Sequence, residues 1–78
     1  MTLFERLRET VATTLDIRPD VIHENTTNSD IAAWDSLGQV TLMMAIEQTF
    51  GIQLDVEDFA RLTSIRAILD HLRRENVE

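Results

Sequence analysis

The sequence predicts an all-α fold: a small four-helix bundle of three longer helices and one short one, with a long loop between the first and second. Three observations carry this. Apolar residues recur at steps of three and four in separate segments, the period of a helix with one face on a core. Those segments open on Thr, Ser or Asp, and the most apolar one closes on Gly, which is the start and stop chemistry of helices. Seventy-eight residues, 44% hydrophobic and 27% charged, match one folded domain spanning residues 1–78 and are too apolar for a disordered chain.

The first helix is expected from Thr2 to about Asp16. "TLFE" fits a capping box in which Thr2 caps the start and Glu5 reaches back to it. Leu3, Phe4, Leu7, Val11 and Leu15 draw one apolar stripe, with Arg6, Arg8 and Glu9 on the wet side. The stop is expected near "DIRPD", because Pro19 disfavours a helical Arg18 and has no amide hydrogen to donate. From Ile17 to Asp35 no helical or alternating pattern persists, and "HENTTNSD" is dense in turn-forming residues. So long a loop needs anchors, for which Val21, Ile22, Ile31, Ala32 and Ala33 are available, with a single turn near Ser29 to Ala33.

The second helix runs from Ser36 to Phe50 and is closed by Gly51 in the left-handed cap. It holds more than one apolar stripe. Leu42, Ile46 and Phe50 share one face, while Leu37, Val40 and Met44 form a second row that either packs in the core or is presented to partners. Asp55 caps a short third helix running through Phe59 to Leu62, and Ser64 caps a fourth whose stripe is Ile65, Ile68, Leu69 and Leu72. Arg73 and Arg74 suit its C-terminal end, and the final "ENVE" is expected to fray.

The bulk chemistry excludes several function classes. A domain of this size buries only ~60% of the surface its unfolded chain exposes, which leaves little material for a water-excluding catalytic cleft. Cysteine is absent, so any thiol chemistry has to be brought in from outside. Fourteen acids face seven bases, all arginine, for a net charge of −7, which repels nucleic acid and anionic membranes and favours a basic patch on another protein. No apolar run approaches the ~20 residues that span a bilayer, and "MTLFERLRET" lacks the apolar stretch of a signal peptide, so a cytoplasmic location is expected.

Site chemistry is sparse. His23 and His71 stand without metal-binding spacing, and the carboxylates of "LDVED" lack the pattern of a calcium loop, so no metal site is expected. Two glycines cannot build a phosphate loop. Ser36 has no local base to make it a nucleophile. Ser36 and Ser64 each serve, on the plainest view, to cap a helix. The surroundings of Ser36 favour another role: it follows a polar loop, adjoins Asp35, sits at a helix's positive end and precedes the surplus apolar row. Trp34, just before it, is expected to pack against the loop.

"DSL" followed by "VTLMMAIEQTFGIQL" resembles the second-helix signature of the acyl carrier proteins, and the resemblance covers nearly the whole chain, from the first helix to "HLRR". In that family the serine carries 4'-phosphopantetheine, transferred from coenzyme A by a phosphopantetheinyl transferase, and the thiol of that arm holds an acyl or related group. The resemblance therefore implies a non-enzymatic carrier with the group on Ser36 and with Asp35 and Leu37 as its recognition frame. It implies acyl- or aminoacyl-loading and condensing enzymes as partners, a monomer that visits them in turn, and a cargo that some members shelter between helices. The competing expectation is a carrier-like helical adaptor without a prosthetic group.

The chain departs from the family at Gly38, Gln39 and Thr41, where acids are common, leaving Glu47 as the only acid within the second helix. Docking is therefore expected to rest on Leu37, Val40 and Met44 and on acids elsewhere, among them Asp35, Asp55, Glu57 and Asp58. Gly38 is expected to cost the helix up to ~1 kcal/mol relative to alanine. These departures point to a specialised, free-standing carrier of a polyketide, aminoacyl or other secondary pathway rather than the housekeeping fatty-acid carrier.

Overall fold

The computed structural model describes residues 1–77. Four helices follow in order, α1 (Leu3–Leu15), α2 (Ser36–Phe50), α3 (Val56–Arg61) and α4 (Ile65–Arg74), with two single 3-10 turns, Pro19–Val21 and Asn28–Asp30, in the loop after α1. Three helices are long and one is short, as expected, and no strand occurs among the described residues beyond one isolated bridge between Thr27 and Ser64.

α1 starts as its sequence dictates. The Glu5 amide donates to the Thr2 hydroxyl at 3.1 Å and the Thr2 amide donates to the Glu5 carboxylate at 2.8 Å. The bond from the Thr2 amide holds the Glu5 carboxyl below its ordinary range. The end falls at Asp16 as expected, but by a different device. Asp16 adopts the left-handed conformation at φ 57°, and the Ile17 amide returns to the Ala12 carbonyl at 3.0 Å. The helix thus closes three residues before Pro19, on a short polar side chain that tolerates this geometry, and Pro19 opens the next turn instead.

The core is a layer between α1, α2 and α4: Leu7, Val11 and Leu15 face Leu42, Met43, Ile46 and Phe50, with Ile65, Ile68, Leu69 and Leu72 closing the third side. Each buried leucine or isoleucine stabilises the fold by ~1.5–3 kcal/mol relative to exposure. Arg6 and Arg8, placed on the wet side by periodicity, lay their guanidinium groups over Phe50 and Phe4 at 4.9 and 5.1 Å from the ring centres, so their stems shield the core's edge. α3 buries no residue fully; Leu62, just beyond it, does.

The long loop is held by Ile22, Ile31 and Trp34, all buried, while Val21, Ala32 and Ala33 are exposed and anchor nothing. Periodicity gave no way to rank these residues, because a loop has no fixed facing. Its middle is tied down through the backbone: the Ile65 amide donates to the Thr26 carbonyl and the Asn28 amide to the Thr63 carbonyl, both at 2.9 Å. Thr26 is itself buried, with its hydroxyl accepting from the His23 amide. The chain end does not fray through Val77. Asn76 takes the left-handed conformation at φ 62°, the Val77 amide reaches the Leu72 carbonyl at 3.0 Å, and Val77 packs on the core, which completes a Schellman close. Glu78 lies outside the described residues.

Candidate functional site

α2 begins at the close of the loop, where Trp34 is buried and Asp35 and Ser36 emerge into solvent. Ser36 is not the cap. Asp35 occupies that position with extended backbone, and its carboxylate accepts the Gly38 amide at 2.9 Å, while its carbonyl accepts the Gln39 amide at 2.7 Å. Ser36 is the first residue of the helix proper, exposed, and among the described residues its hydroxyl has no hydrogen-bond partner. A helix's first amides carry partial positive charge, which favours an anion at this position by roughly 0.3–1 kcal/mol. The arrangement offers an uncovered hydroxyl beside an electropositive helix end, and it suits a phosphate ester better than nucleophilic catalysis, for which no base is at hand.

Gly38, expected to be a cost, is a requirement. A β-carbon here would stand 2.2 Å from the Ala33 carbonyl oxygen and 3.3 Å from a Leu15 methyl. Only glycine lets the loop backbone lie against the first turn of α2 and deliver Asp35 to its cap. Gln39 and Glu47 also have structural partners. The Gln39 side-chain amide donates to the carbonyls of Phe59 at 2.8 Å and Leu62 at 2.9 Å, and its oxygen accepts the Trp34 indole N–H. Glu47 accepts the Leu54 amide at 2.8 Å, fixing the turn after α2.

The second apolar row of α2 faces solvent: Leu37 is 75% exposed, Met44 52% and Val40 45%. Core packing is thereby set aside for this row. Val56 at the start of α3 is more exposed still, at 85%. Asp35, Ser36 and Val40 line one side of an open groove whose other side is Val56, Phe59 and Ala60. Met44 lies apart from that groove, against Thr14, Thr41 and Gln48 on the α1 side. The sequence reading did not single out Val56; as an apolar residue off the Phe59–Leu62 stripe and directly after a cap, it could have been found.

The acids named from sequence divide. Asp55 and Asp58 exchange hydrogen bonds as the capping box of α3, and Asp58 also accepts from Arg61 at 2.7 Å, which holds its carboxyl below the usual range. Glu57 is exposed. His71 is buried, with Nδ1 3.4 Å from the Arg61 guanidinium. Among the described residues no group of three or more histidines and carboxylates could hold a metal ion, and no helix is long and apolar enough to cross a membrane.

The family model described as "Phosphopantetheine attachment site" matches residues 5–72. A protein of Campylobacter hominis named Acyl carrier protein is 30% identical over 76 residues, which is 97% of this chain and 96% of that one. Two more with the same name are similar along most of their length. One, from Buchnera aphidicola subsp. Acyrthosiphon pisum, is 27% identical over 95% of this chain and 92% of its own. The other, from Buchnera aphidicola subsp. Schizaphis graminum, is 29% identical over 92% and 91%.

Proposed function

This chain belongs to the acyl carrier protein family, carriers rather than enzymes whose cofactor is covalent 4'-phosphopantetheine, and we propose that Ser36 is its attachment residue. The observation that carries this reading is the division of labour at the start of α2: Asp35 does the capping and the adjacent Ser36 hydroxyl stands exposed. When bound, the group supplies a thiol that this cysteine-free chain lacks, able to hold an acyl or aminoacyl unit as a thioester. Ser36 need only offer its oxygen; base and magnesium belong to the transferase. The first turn of α2, held rigid by Asp35 and by the close fit at Gly38, fixes where that oxygen points. A tethered cargo then meets each partner at high effective concentration instead of by free diffusion.

Leu37, Val40 and Met44, joined by Val56, are the surface offered to the transferase and to loading and condensing enzymes. Asp35, Glu57, Asp55 and Asp58 supply negative charge around it for a basic partner. Because Asp55 and Asp58 are engaged in the α3 cap and no acid stands at positions 38, 39 or 41, apolar contact outweighs charge in this docking. The chain is read as one carrier unit over residues 1–78, acting as a cytoplasmic monomer in a secondary pathway. The test is mass spectrometry after incubation with coenzyme A, magnesium and a broad-range phosphopantetheinyl transferase. The wild type gains the mass of one phosphopantetheine group and Ser36→Ala gains none. No gain in the wild type, or a gain that survives Ser36→Ala, would overturn the assignment.

A further inference from the structure

Beneath the groove at Ser36 lies a polar junction that the carrier role does not require. Gln39 uses its whole side-chain amide there. Both N–H bonds go to α3 and its exit, to the Phe59 and Leu62 carbonyls, and the oxygen receives the indole N–H of Trp34. These are carbonyls at the end of a helix, which lack partners within it. None of the six residues of α3 is fully buried, and Phe59, half-buried against the core, and the buried Leu62 just beyond it are its apolar anchors. Trp34, 2% exposed, fills the space below the junction. A cargo on Ser36 could enter the core from this groove only by parting α2 from α3, and that would break the two bonds from Gln39 to the Phe59 and Leu62 carbonyls and leave the Gln39 N–H groups unpaired beside the core.

We infer that Gln39 is a clasp that bars the cargo from the core and so restricts this carrier to short or polar cargo; the inference rests on attachment at Ser36. A long alkyl chain denied the interior would lie in an open groove, one side on Val40, Val56, Phe59 and Ala60 and the rest exposed to water beside Asn28, Asp35, Gln39 and Thr63. A short or polar unit meets no such penalty. Gln39 is thus a specificity-determining residue acting through the position of α3, with no contact to reacting atoms demanded of it.

The experiment loads wild type and Gln39→Ala with acetyl- or octanoyl-phosphopantetheine from the corresponding coenzyme A esters. It reads the methyl NMR signals of Leu42, Ile46 and Leu62, the melting temperature, and hydrogen exchange at the Trp34 indole. In the wild type, acetyl and octanoyl forms should give the same core methyl signals and melting temperature, with a protected indole. In Gln39→Ala the indole should exchange faster, and octanoyl alone should shift the core methyls and raise the melting temperature. Gln39→Met, which keeps the bulk without the bonds, should behave as the alanine variant does and serves if that variant fails to fold. Octanoyl-dependent core shifts in the wild type would overturn the clasp while leaving Ser36 intact as the attachment residue. Absence of loading in the wild type would instead defeat the Ser36 assignment and the clasp with it, an outcome distinct from octanoyl-dependent core shifts in a loaded wild type, which overturn the clasp alone.

Discussion

Ser36 and Ser64 each stand at the start of a helix, each after a stretch of irregular chain, and their side chains are used in opposite ways. The Ser64 hydroxyl accepts the Ala67 amide at 3.1 Å, and the backbone around it is pinned to the loop by the Thr26–Ile65 and Asn28–Thr63 bonds. Ser36 sits one residue further into its helix, because Asp35 has taken the cap, and its hydroxyl is left exposed. A difference of one position at the helix start turns the same residue from a structural part into an available one. An acid before the serine is therefore a device for freeing it, since a carboxylate is at least as good a cap as a hydroxyl.

The largest effect that could break this contrast is on modification. Ser36→Ala should abolish transfer from coenzyme A while changing stability by no more than about 0.5 kcal/mol, as expected of an exposed side chain without partners. Ser64→Ala should do the reverse, keeping full modification and losing about 1 kcal/mol of stability with its cap. Mass spectrometry and thermal melting on both variants check the pair; a Ser36→Ala variant as destabilised as Ser64→Ala would mean that Ser36 is structural after all.

Within α2 the same division should appear between faces. Leu42→Ala, in the core, should cost about 2–5 kcal/mol, and Met44→Ala on the exposed row should stay within about 0.5 kcal/mol. Denaturant titration measures both, and comparable losses would put Met44 in the core. Gly38→Ala sharpens the Ser36 side of the contrast. Its methyl would press on the Ala33 carbonyl, so we expect a loss of about 1–3 kcal/mol together with slower modification of Ser36. An unchanged melting temperature would show that the loop yields freely.

The smallest effect concerns acid. Glu5 in the box of α1 and Asp58 in the box of α3 both titrate below their ordinary range, through the Thr2 amide and through Arg61. A depressed carboxyl contributes stability that is present above its unfolded value, about pH 4, and is lost as pH falls through the lower folded value. Both sites are surface features, so the acid limb of a melting-temperature profile should steepen only slightly below pH 4, and Asp58→Asn should flatten it in part. A limb unaffected by Asp58→Asn would remove the Arg61 contact as its cause.

Much of the fold and part of the site follow from local patterns, which a sequence displays directly. The capping box of α1, the Asp55 cap of α3, the close at Gly51, the successive steps of the α1 and α4 stripes and the serine of "DSL" involve residues at most four or five apart. Their partners are fixed by helix geometry once the helix exists. What only the tertiary structure decided are pairings over longer separations or in chain without a period: Gly38 against Ala33, Gln39 reaching Phe59 and Leu62, and Trp34 rather than Ala32 or Ala33 entering the core. Those outcomes depend on where separate elements come to rest against each other, and no spacing along the chain encodes that.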